Sequence, residues 1–166
     1  MSTRIIETPD DMHALGLELA RDLRAGDVLV LTGPLGAGKT TLTRGIGEGL
    51  TVRGPVTSPT FVLARTHPSL VGGPPLVHVD AYRLSNAMEL DDLDIDFAHS
   101  ITIVEWGRGI VEKLIDEWLD VEIERPQGAD VVGTTDETAG EKDAEDDLAV
   151  EPRTVTISGH GARWSS

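Results

Sequence analysis

Lys39 and Thr40 close the run Gly33-Pro-Leu-Gly-Ala-Gly-Lys-Thr, which fulfils every fixed position of the pattern G-x-x-x-x-G-K-[ST]. A primary ammonium and a hydroxyl at that spacing from three glycines are suited to gripping a polyphosphate. The glycines let the backbone curl so that successive N–H groups face phosphate oxygens. A helix starting behind them adds its positive N-terminal end. Gly36, Ala37, Gly38, Lys39, Thr40 and Thr41 are therefore the candidate nucleotide-binding positions. Lys39 brings a mobile cation to the β- and γ-phosphates, and the Thr40 hydroxyl suits Mg²⁺. A plain glycine turn between strand and helix is the bland alternative. The complete match, after the apolar run Val28 to Leu31 and before a helix-compatible stretch from Thr40 to Leu50, favours a nucleoside triphosphate site.

Phosphoryl transfer to water also needs an oriented nucleophile and a carboxylate linked to the metal. Two acids end short apolar runs: Asp80 closes Leu-Val-His-Val-Asp and Glu105 closes Ile-Thr-Ile-Val-Glu. Either acid alone could simply cap a turn. Together with a phosphate loop they are candidates for the metal-linked and water-orienting roles, and Lys39, Asp80 and Glu105 form the candidate catalytic set. His78 precedes Asp80 by two residues, hence shares its face of a strand, and is placed to orient it. The hydroxyls of Thr57, Ser58 and Thr60 around Pro59 could approach a γ-phosphate as a nucleotide-sensitive switch, although the segment also reads as a Pro-centred turn. Trp106 is either core filler or a contact near the site, and residue type favours core. Metal centres built by the protein alone are not indicated. Asp92-Leu-Asp-Ile-Asp96 starts like a calcium loop, but Phe97 replaces its glycine and Ile103 its bidentate glutamate. The five histidines lack metal-ligand spacing.

These residues need a scaffold. A helix is predicted from Thr8 as N-cap, with Pro9 in its first turn and Met12, Leu15, Leu19 and Leu23 on one face, up to Gly26. Val28–Leu31, Leu76–Val79 and Ile101–Val104 read as buried parallel strands whose C-terminal ends open onto the ligand. Val56 through Leu63 can extend around Pro59, and Gly109–Trp118 reads as a short helix. Leu119, Val121 and Ile123 alternate with acids, and Arg153–Ser158 alternates similarly, as half-exposed strands do. Gly45, Gly47 and Gly49 each weaken the helix they sit in by about 1 kcal/mol relative to alanine. The fold expected is α/β, one domain with a mostly parallel central sheet and antiparallel C-terminal strands.

The 166 residues fit one domain and contain no cysteine, which excludes disulfides and thiolate metal sites. No apolar run approaches a membrane span, and the N-terminus lacks the apolar core of a signal peptide, so a cytoplasmic protein without a membrane partner is expected. The formal net charge is −15. Between Pro126 and Pro152 nine acidic residues face the single Lys142, which accounts for more than half of it. That stretch has no aromatic residue and is expected to be a disordered acidic insertion, 126–152, between a core at 1–125 and a C-terminal strand and tail at 153–166. The remainder is still acidic, which argues against extended nucleic-acid binding by this chain alone.

Four stretches in order and spacing carry a family resemblance: Gly33 through Leu42, Val56-Thr-Ser-Pro-Thr-Phe61, His78-Val-Asp-Ala-Tyr-Arg-Leu84 with Glu89-Leu90, and Val104-Glu-Trp106. The first 125 or so residues resemble the bacterial TsaE (YjeE) ATPases of tRNA threonylcarbamoyladenosine biosynthesis. The resemblance implies a P-loop NTPase-like fold, ATP and Mg²⁺, weak intrinsic hydrolysis, and action beside TsaD and TsaB partner proteins, with tRNA touched only indirectly. Carried over by position, it implies phosphate and Mg²⁺ roles for Lys39 and Thr40, a metal-linked acid at Glu105 and an acid needed for hydrolysis at Asp80. It implies a switch at Ser58, Pro59 and Thr60, and a tryptophan beside the nucleotide at Trp106. Ala81 departs from the family's usual leucine, and the acidic insertion lies outside its pattern. Two other readings of the loop stay open: a small-molecule or nucleotide kinase, and a non-hydrolysing nucleotide-gated binding module. A kinase needs an arginine-bearing lid, whereas after residue 85 only Arg108, Arg125, Arg153 and Arg163 occur, scattered.

Overall fold

The computed structural model describes residues 2–34, 38–54, 64–125 and 152–164. In chain order these form β1 (Ser2–Ile6), α1 (Pro9–Ala20), β2 (Val28–Thr32), α2 (Lys39–Leu50), β3 (Ala64–His67), β4 (Leu76–Asp80), α3 (Ala87–Asp91), β5 (Ile101–Glu105), β6 (Trp118–Glu124) and β7 (Arg153–His160), with short 3₁₀ turns between. The strands make one sheet in the order β1-β7-β6-β2-β5-β4-β3. β6, β2, β5 and β4 run parallel, and β3, β7 and β1 add antiparallel neighbours at the two sides. The expected mixture of a parallel centre with an antiparallel C-terminal strand is thus observed. Among the described residues no helix is long and apolar enough to cross a membrane.

The apolar runs of the central strands are buried on both faces, as parallel strands between two layers must be. On one face Leu29, Leu31, Ile101 and Ile103 pack with Met12 and Leu15 of α1 and Leu42 and Ile46 of α2. On the other, Val28, Val30, Val77, Val79 and Val104 pack with Leu90 and Val111. β6 buries only Leu119, Val121 and Ile123, the alternation its sequence displays.

Thr8 caps α1 as expected, its Oγ1 accepting from the Asp11 amide at 3.1 Å. The helix stops at Ala20, six residues before Gly26, because the chain tightens into 3₁₀ bonds such as Asp22 N–H to the Leu19 carbonyl at 3.1 Å. Gly45 and Gly49 of α2 have a packing reason. A Cβ on Gly16 of α1 would sit 2.5 Å from the Leu42 carbonyl oxygen, and one on Gly49 2.6 Å from the Ala20 Cβ. The helices meet backbone to backbone, an approach that side chains forbid.

One expectation is corrected and one strand is added. Gly109–Trp118 is not a helix; only Val111–Lys113 makes a 3₁₀ turn. Trp118 opens β6, where pairing to His160 and, one residue on, of Leu119 to Leu29 offers sheet hydrogen bonds that override local preference. β1, which the sequence does not reveal, exists because the edge of β7 receives it from Ser2↔Ile157 to Ile6↔Arg153. The region 56–63 lies outside the described residues, as does the acidic stretch up to Glu151. Behind the site, Arg163 clamps the chain end to the start of β2. Its Nε and Nη2 donate to the buried Asp27 carboxylate, each at 3.0 Å, and Nη2 also donates to the Asp22 carbonyl at 2.6 Å.

Candidate active site

β2, β4 and β5 end at the same edge of the sheet, so their register decides which side chains meet. Asp80 pairs with Glu105, and Glu105 in turn with Leu31, one residue before the end of β2. The two acids therefore lie on adjacent strands, roughly 5 Å apart in backbone spacing, beside the strand that feeds the loop. The turn amides tie the edge together: Ala81 N–H donates to the Glu105 carbonyl at 2.8 Å and Trp106 N–H to the Leu31 carbonyl at 3.0 Å.

Lys39 opens α2 directly behind Gly38, whose φ of 110° is a left-handed conformation that glycine adopts freely. A Cβ at Gly38 would also press the Met12 side chain at 3.1 Å. The Lys39 side chain is buried, and its Nζ donates to the loop's own carbonyls, Gly33 at 2.5 Å and Pro34 at 3.1 Å. Burial pushes its ammonium below the ordinary lysine range, while Glu105 and then Asp80 act in the opposite sense. Both acids are thus within electrostatic reach of this cation. Thr40 and Thr41 stand half-buried in the first turn of α2. Gly36 and Ala37, and the switch candidates Ser58, Pro59 and Thr60, lie outside the described residues.

The geometry of the acids differs. Asp80 is half-exposed and its Oδ1 accepts the Tyr82 amide at 3.0 Å, a local turn that fixes the carboxylate against its own backbone. Glu105 is buried, and its Oε2 lies 2.5 Å from His78 Nε2. This corrects the expectation that His78 orients Asp80. Sharing a strand face with Asp80 is legible in sequence, but the partner is set by the neighbouring strand.

Trp106 is corrected as well. It is no core residue: β5 ends at Glu105, and Trp106 takes a left-handed φ of 62°, which turns its ring toward the site. The ring centroid lies 4.8 Å from Lys39 Nζ and 5.6 Å from the Tyr82 ring in an edge arrangement. Tyr82 is a site-wall residue that sequence reasoning left without a role, although it lies inside the His78–Leu84 motif.

As for a metal, among the described residues no group of three or more His, Cys, Asp or Glu side chains is set to hold one. The oxygens available here are hard ones: the Asp80 and Glu105 carboxylates at the sheet edge and the Thr40 hydroxyl in the first turn of α2. Such a set fits Mg²⁺, which keeps several waters and is commonly held by one or two protein ligands plus substrate phosphates.

A family model described as threonylcarbamoyl adenosine biosynthesis protein TsaE matches residues 6–131. The chain belongs to the TsaE family. Among its relatives, the tRNA threonylcarbamoyladenosine biosynthesis protein TsaE of Streptomyces coelicolor is 53% identical over 158 residues, covering 93% of this chain and 95% of that protein. The protein of the same name from Mycobacterium leprae is 48% identical over 136 residues, covering 76% and 84%. The crystal structure of Bacillus subtilis YdiB superposes with a TM-score of 0.67 at 26% identity, over 98% of this TsaE-family chain and 88% of that one.

Proposed function

We propose that this TsaE-family chain is a Mg²⁺-dependent ATPase supporting biosynthesis of N6-threonylcarbamoyladenosine at position 37 of tRNA, acting on a partner complex of the TsaD–TsaB type. The observation that carries the reading is the convergence of Lys39, Asp80 and Glu105 on one sheet edge, with the Trp106 ring over the ammonium. Lys39 and the loop amides hold the phosphates. Thr40 and Glu105 hold Mg²⁺, which when bound supplies charge neutralisation to the transferring phosphoryl group. Asp80, exposed enough to meet solvent, orients the attacking water. Ser58, Pro59 and Thr60 report the γ-phosphate to the partner.

Lys39 donates to Gly33 and Pro34 in this conformation. Reaching a phosphate requires exchanging those bonds. The placement belongs to the reducing, cytoplasmic compartment where tRNA is modified.

An ATPase assay with and without purified TsaD–TsaB tests the reading. Partner-stimulated phosphate release is expected, lost by roughly 10²–10⁴-fold in Asp80→Ala and Glu105→Ala, since a positioned carboxylate contributes on that order. Wild-type turnover in both variants refutes the assignment. Turnover that requires a small-molecule acceptor points to a kinase, and binding without single-turnover hydrolysis to a nucleotide-gated module.

A further inference from the structure

β4 and β5 run parallel with His78 opposite Ile103 and Asp80 opposite Glu105. Residues two apart on a strand share a face, so His78 and Glu105 project on the same side, diagonally, under the layer formed by α1 and α2. His78 is fully buried and Glu105 nearly so. His78 Nε2 and Glu105 Oε2 lie 2.5 Å apart, within hydrogen-bonding distance. His78 Nδ1 is buried and has no hydrogen-bond partner among the described residues. A hydrogen placed on Nδ1 would be an orphaned donor, the costlier kind of unmet group, and would leave two lone pairs facing each other across 2.5 Å. The hydrogen therefore resides on Nε2, which donates to Glu105.

We propose that His78 is a positioning residue for the metal-linked carboxylate: its Nε2–H holds Glu105 Oε2, fixing the rotamer of a buried acid that would hold Mg²⁺. The inference rests on the metal-linked role given to Glu105 above. A carboxylate ligand held by an outer hydrogen bond binds metal more tightly, and loss of such a partner typically costs about 10–100-fold in metal affinity. The Lys39 ammonium, by contrast, donates to the Gly33 and Pro34 carbonyls on the loop side of the site. Asp80 carries its own orienting bond from the Tyr82 amide, so the two acids at this edge are held by separate devices.

Calorimetric titration of the full-length chain with a non-hydrolysable ATP analogue, with and without Mn²⁺, gives the enhancement of nucleotide affinity by metal. In His78→Leu the enhancement should fall at least tenfold while metal-free affinity stays within twofold. His78→Gln, whose amide N–H reaches the same carboxylate, should retain the enhancement within threefold. A folded His78→Leu with wild-type enhancement, or a folded His78→Gln as impaired as His78→Leu, overturns the proposal. Should the leucine variant not fold, ¹⁵N NMR of the wild-type imidazole decides. A downfield Nε2–H that disappears in Glu105→Ala is expected, and an Nδ1–H tautomer overturns the proposal. Glu105→Gln separates the two layers: an unchanged metal enhancement there removes the metal-linked role of Glu105 itself, whatever His78 does.

Discussion

Gly45→Ala sets two opposing effects against each other at the helix pair that carries Lys39. In a solvated helix the substitution would stabilise by about 1 kcal/mol, because alanine loses less backbone entropy than glycine. Here the new Cβ falls on the His13 carbonyl oxygen and 3.1 Å from the Gly16 Cα. Those atoms are backbone of α1 and cannot rotate away, so α1 and α2 must separate. Overpacking costs typically ~1–3 kcal/mol, with the upper end apt where the neighbour is rigid main chain. The net expectation is a destabilisation of about 1–2 kcal/mol, or a Tm lower by roughly 2–8 °C for a chain of this size. Urea and thermal unfolding followed by circular dichroism measure it. Gly73→Ala is the control, since Gly73 is exposed and the contact there is the Ser69 Oγ at 3.4 Å. That variant should stay within about 0.5 kcal/mol of wild type. A Gly45→Ala protein as stable as wild type, or more stable, refutes the backbone-to-backbone contact.

Two further outcomes follow from the charges. Lys39 has its pKa lowered by burial, so between that value and the ordinary 10.5 the unfolded chain binds more protons than the folded one. Stability contributed by this site should therefore rise with pH through that window, and Lys39→Met should flatten the rise while nucleotide binding is lost. Denaturant midpoints measured across alkaline pH check both, and an unchanged slope in the variant refutes the burial argument. Arg163→Met leaves the Asp27 carboxylate buried without its guanidinium, and breaking a buried pair from one side costs on the order of 3–5 kcal/mol. The lower end applies because Arg163 keeps a fifth of its side chain exposed. Adding Asp27→Asn should recover part of the loss in a double-mutant cycle, and strict additivity would show that the clasp is not a coupled pair.

Much of this protein is written locally, in patterns that need no partner to be read. The Thr8 cap, the apolar runs that end in Asp80 and Glu105, the alternation of Leu119, Val121 and Ile123, and the glycine-lysine loop each depend on neighbours a few residues away. They suffice for an α/β fold with two acids at strand ends and a glycine-lysine loop after the first central strand. What the tertiary structure decided depends on register and on contacts between distant segments. β1 is a strand because β7 offers an edge, and Trp118 joins a sheet rather than a helix because β2 and β7 flank it. His78 serves Glu105, 27 residues away, rather than the nearby Asp80, because the strand alignment brings that carboxylate to its ring. Trp106 leaves the core because one left-handed residue after β5 redirects its side chain over Lys39. Even Gly45 of α2, unfavourable by propensity, makes sense only against the backbone of α1, whose approach no local pattern encodes.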